Sequence, residues 1–80
     1  MKIIHVLGTG CPKCNLLANN VEIAVREAGL KFEIVKVTDI NEIMEFGVML
    51  TPALVIDGEV KSMGKALSVE DIKAFLARTE

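Results

Sequence analysis

Residues 2–28 read KIIHVLGTGCPKCNLLANNVEIAVREA, and this stretch decides the fold. It opens with a β-rich run, Lys2–Leu7, in which Ile3, Ile4, Val6 and Leu7 make both faces mostly apolar, as in a central strand. Gly8-Thr9-Gly10 ends the run. From Pro12 to Ala28 the apolar residues Leu17, Val21, Ala24, Val25 and Ala28 recur at helical spacing and form one face. Pro12 suits the first helical turn, where its missing N–H would be unpaired anyway. Gly29 suits the stop just past the last turn. The segment therefore predicts a strand, a tight Gly-rich loop and a helix, with Cys11-Pro12-Lys13-Cys14 at the loop–helix junction.

That junction has a chemical consequence. Cys11 takes the cap position, where unpaired backbone N–H groups and a dipole charge of about +0.5 favour a thiolate over a thiol. Cysteine pKa values at such sites fall from ~8.5 to about 3.5–7.5. Lys13 adds a positive charge that acts in the same sense. Cys14 lies one helical turn on, close enough to close a disulfide with Cys11, and is expected to be more buried and less acidic. A Cys11 thiolate would attack a substrate disulfide, and Cys14 would then resolve the mixed disulfide. The bland alternative, two ordinary buried thiols, sits poorly with a Gly-rich loop and a helix start, which are exposed places.

Outward from this unit, Phe32–Val37 alternates as a strand, and Thr38 or Asp39 can cap a short helix around Asn41–Phe46 that ends near Gly47. Ala53–Ile56 reads as a buried strand, Asp57-Gly58 as a two-residue hairpin turn and Glu59–Met63 as the returning strand. Ser68-Val69-Glu70-Asp71 resembles a capping box, and Val69, Ile72, Phe75 and Leu76 supply the buried stripe of a final helix. The order β-α-β-α-β-β-α predicts an α/β fold. Its four-stranded mixed sheet has helices on both faces, a right-handed parallel crossover first and an antiparallel hairpin last. Residues 1–80 form one expected domain.

Composition narrows the function. Hydrophobic residues make up 51% of the 80, enough for a core and too many for disorder. Nine Lys and Arg against eleven Asp and Glu give a net charge of −2, so no basic footprint marks a nucleic-acid or anionic-membrane partner. Trp and Tyr are absent, which argues against a stacking platform for single strands. No apolar run approaches the ~20 residues of a membrane span, and Ile3–Leu7 is too short and interrupted for a signal peptide. A cytoplasmic monomer is the expectation. In that compartment a close cysteine pair is catalytic or metal-binding rather than a structural staple.

With the Cys11–Cys14 pair after the first strand, Thr51-Pro52 before the third, and a hairpin leading into a final helix, the chain resembles the thioredoxin fold over essentially its whole length. It is most similar to the small thioredoxin-like redox-active disulfide proteins, which share the Gly-Thr-Gly-Cys-x-x-Cys entry and the Pro-x-x-x-x-Asp-Gly-Glu segment. The resemblance implies a cis Pro52 packed against the cysteine pair, and a Thr51 whose backbone pairs with an extended substrate segment. Pro12 and Lys13 would tune the pair. There are departures. No Trp precedes Cys11, and the first strand and helix of larger thioredoxins are missing. His5 stands where those proteins carry a buried acid, either as a proton relay to Cys14 or as a plain polar residue on a strand face.

The reading is a thiol–disulfide oxidoreductase. It would need no exogenous cofactor and no metal, would act on disulfide-containing proteins, and would be recharged by a thioredoxin-reductase-like donor. A glutaredoxin-like reductase using glutathione is one alternative, since Cys-Pro-x-Cys is shared with that group. Met63-Gly64-Lys65 has only one glycine where glutaredoxins have two. A Cys-pair metal carrier is another, because heavy-metal-associated domains also place two cysteines between a strand and a helix; their order is β-α-β-β-α-β. A third is an interaction module that keeps the fold without turnover. Met44, Phe46, Val48, Met49 and Leu50 cluster before Thr51. Met49 and Leu50 are the better candidates for partner docking, while Met44 and Phe46 could equally pack in the core.

Overall fold

The computed structural model describes residues 2–29 and 31–79. Four strands and three helices follow one another as β1 (Lys2–Leu7), α1 (Pro12–Ala28), β2 (Phe32–Val37), α2 (Ile40–Glu45), β3 (Ala53–Ile56), β4 (Glu59–Met63) and α3 (Val69–Thr79). The sheet order is β2-β1-β3-β4. β1 pairs parallel with β2 and antiparallel with β3, and β3 pairs antiparallel with β4. The two strands that read as apolar on both faces, β1 and β3, are the central pair.

Side chains alternate across this sheet and feed two cores. Ile4, Val6, Leu54 and Ile56 face α1 and α3, where Leu17, Val21, Ala24, Ile72 and Leu76 complete a cluster. Leu7, Val37, Ala53 and Val55 face the other way, against Ile43 of α2 and Val48. Helices therefore cover both faces of the sheet. Asp57 and Gly58 turn the β3–β4 hairpin with φ of 53° and 83°, the left-handed values that a tight hairpin needs. β4 is irregular: Leu54 pairs with Ser62 and Val55 with Val60, so Lys61 is the extra residue of a bulge.

Of the two cap candidates Asp39 rather than Thr38 is the N-cap, so α2 starts directly after it at Ile40, one residue before the sequence-based position. Its Oδ1 accepts from the N–H groups of Asn41 at 2.8 Å and Glu42 at 3.4 Å. α3 is tied to α1 by Asn20, whose Nδ2 donates to the Leu67 carbonyl at 2.9 Å. The Lys73–Glu27 ion pair at 3.3 Å also spans the two helices, but it is exposed and adds little. Among the described residues no helix is long and apolar enough to cross a membrane.

Candidate active site

The register gathers the site at one end of the sheet. Leu7, the last residue of β1, lies opposite Val37 on one side and Ala53 on the other, and Ala53 lies opposite Met63. The loops holding Gly8–Cys11, Thr38, Thr51-Pro52 and Gly64 therefore emerge together. Gly8 N–H donates to the Val37 carbonyl at 2.9 Å, and Gly64 N–H to the Pro52 carbonyl at 2.8 Å. The Thr51–Pro52 bond is cis, as the resemblance implies, and Pro52 is buried. Thr51 is half-buried.

Cys11 is the N-cap of α1, with extended backbone and Pro12 directly after it. Its Sγ accepts the Cys14 N–H at 3.3 Å, and its carbonyl accepts the first helical bond from Asn15 N–H at 3.0 Å. Both thiols are free; Cys11 is half-buried and Cys14 is buried at 4% exposure. The Cys14 side chain and then the Cys14 backbone N–H, both hydrogen-bonded to the Cys11 sulfur, hold Cys11 below the ordinary thiol range. Burial first, and its hydrogen bond to Cys11 second, push Cys14 above that range. The pair therefore holds one acidic thiol near the surface and one reluctant thiol beneath it. Pro12 and Lys13 are exposed on the first turn.

His5 lies elsewhere. It follows the parity of Leu7 on β1 and faces the α2 side, where its ring meets Phe46 with centroids 4.9 Å apart. Its buried Nδ1 has no hydrogen-bond partner. α1, which carries Cys14, covers the opposite face, so the sheet separates the two and the relay idea is corrected. Two glycines were missed as site residues. A Cβ on Gly64 would press on Leu50 at 3.3 Å, and a Cβ on Gly8 would overlap Cys14. Strand parity carried a signal for the second, because Gly8 continues the Ile4–Val6 face toward α1.

Beside Thr51 an apolar groove is lined by Ile40, Ile43, Met44, Val48 and Met49. Met49 is 92% exposed, Met44 64% and Leu50 60%. Met44 thus belongs to the surface rather than the core, while Phe46 is half-buried against His5.

The model of the "Thioredoxin domain" family matches residues 2–77. A protein of Methanocaldococcus jannaschii named thioredoxin is 52% identical over 76 residues, which is 95% of this chain and 87% of that protein. A thioredoxin of Methanothermobacter thermautotrophicus is 40% identical over 77 residues, 96% of this chain and all of the relative. Among solved structures, thioredoxin-2 of a malaria parasite, described as a component of its protein secretion machinery, superposes with a TM-score of 0.76 at 14% identity, over 98% of this chain and 82% of that one. A second malarial protein gives 0.73 at 16% identity, over 98% and 96%. At those identities the two structures speak for the fold alone.

Proposed function

The chain belongs to the thioredoxin domain family and is a thiol–disulfide oxidoreductase; from that premise we propose that Cys11 is its attacking thiolate and Cys14 its resolving thiol. The observation that carries these roles is the asymmetry of the pair: an acidic, accessible Cys11 capping α1 above a buried Cys14. The Cys11 thiolate attacks one sulfur of a substrate disulfide. The S–S bond breaks, and the other substrate sulfur leaves as a thiolate and takes up a proton. Cys14 then gives up its proton and attacks the Cys11 sulfur, which releases the second substrate thiolate. The substrate gains two electrons and two protons, and the pair becomes the Cys11–Cys14 disulfide, the only redox group this chemistry uses.

Disulfide substrates and a reductase that restores the dithiol are the partners of such an activity. We assign the substrates to proteins and the electron donor to a thioredoxin-reductase-like enzyme. Thr51 precedes β3 at the end of the sheet where β1 runs into the cysteine pair, and its backbone would serve an extended segment there, with Met49, Leu50 and Met44 as an adaptable apolar rest. The glutathione-using and metal-carrier alternatives are not favoured. The relatives are thioredoxins, and the order β-α-β-α-β-β-α differs from the β-α-β-β-α-β of a heavy-metal-associated domain.

The test is an equilibrium redox titration with thiols counted by alkylation and mass, followed by trapping. A reversible two-electron transition is expected in the wild type. Cys11→Ser should abolish disulfide reduction, and Cys14→Ser should accumulate mixed disulfides. Equal trapping by both variants would overturn the division of roles.

A further inference from the structure

Six glycines occur in the chain, and five of them, at positions 10, 29, 47, 58 and 64, have positive φ. Gly8 does not. Its backbone is open to any residue, so turn geometry gives no reason for a glycine there. Space does. A Cβ built on Gly8 would overlap the Cys14 Sγ and lie 2.7 Å from the Cys14 Cβ. The backbone cannot step aside freely, because Gly8 N–H is bonded to the Val37 carbonyl at 2.9 Å and the preceding Leu7 is fully buried. The buried thiol therefore occupies the volume that every other residue type would fill.

We propose that Gly8 is a positioning residue that sets the redox balance of the Cys11–Cys14 pair by reserving, in the dithiol form, the seat of the Cys14 thiol. This rests on the oxidoreductase roles given above. The volume is needed while Cys14 carries its own proton and is joined to Cys11 by a hydrogen bond alone. When the S–S bond forms, both thiols lose their protons and two electrons pass to the acceptor, and the Cys14 sulfur is drawn toward Cys11 and away from Gly8. A methyl at residue 8 therefore crowds the dithiol more than the disulfide. Destabilising the reduced form makes the pair a stronger reductant.

The experiment compares the wild type with Gly8→Ala in a buffer of glutathione and glutathione disulfide. In that buffer two glutathione thiols and the protein disulfide exchange with the protein dithiol and one glutathione disulfide. Gly8→Ala should favour the protein disulfide at least tenfold more than the wild type does, a potential more negative by about 30 mV. Its resolving step should be no slower than in the wild type, because attack on Cys11 moves the Cys14 sulfur out of the crowded seat, so no extra mixed disulfide with a model substrate should accumulate. A folded Gly8→Ala with an unmoved or more positive potential overturns the inference alone. A wild-type pair that never forms the disulfide overturns the oxidoreductase roles and the inference with them. Should Gly8→Ala fail to fold, the Gly8→Ala/Cys14→Gly double variant must recover the fold that the Cys14→Gly control retains. A double variant that stays unfolded shows that residue 8 does not serve Cys14.

Discussion

At the scale of single residues, two sulfurs one helical turn apart are driven to opposite acidities by ordinary causes. Hydrogen bonds from Cys14 lower Cys11, and burial raises Cys14. A lowered pKa moves the onset of thiolate to lower pH, and a raised one moves it to higher pH. Alkylation of the reduced protein with iodoacetamide should therefore modify Cys11 with a half-maximal rate at a pH below that of an ordinary thiol. Cys14 should reach its half-maximal rate above it. Peptide mapping across a pH series checks this, and two coincident profiles would contradict it. The Cys11 half of this picture was legible in the sequence, because a helix start is a local feature. The roles of His5 and Gly8 depend on which face of β1 a residue occupies. Parity assigns that face only once Ile4 and Val6 are known to meet α1.

At the scale of elements, boundaries were readable wherever a residue type has one structural reason to be there. Pro12 opens α1 and Gly29 closes it with φ of 68°, while Asp57-Gly58 sets the hairpin. Thr38 and Asp39 compete for the same cap and only the folded chain chose between them. Asp39→Ala should lower unfolding stability by about 1 kcal/mol, since it removes the acceptor for two backbone N–H groups of α2. A urea titration reads this, and a change within error would mean that packing of Ile43 alone holds the helix. The Asn20–Leu67 bond links residues 47 apart and has no local signature, so α1 and α3 were each legible while their tie was not.

At the scale of the whole molecule, the sheet order brings all the loops of the site to one end and sets an apolar rim beside them. Replacing both Met49 and Leu50 with Ser should raise KM for a protein disulfide roughly tenfold, the effect of losing about 1.4 kcal/mol of apolar contact. Turnover of a small aromatic disulfide should stay unchanged. An equal loss on both substrates would locate the fault in the cysteine pair instead. The remaining feature of this scale is the pair of open margins. A sheet of four strands leaves two unpaired backbone rows, and such rows are templates for more strands. Here the outer row of β4 is broken where Lys61 is squeezed in beside the exposed Glu59, and β2 carries Glu33 and Lys36 into solvent. A bulge on one margin and exposed charges on the other are features that discourage edge-to-edge pairing, so each margin is a poor template for a further strand.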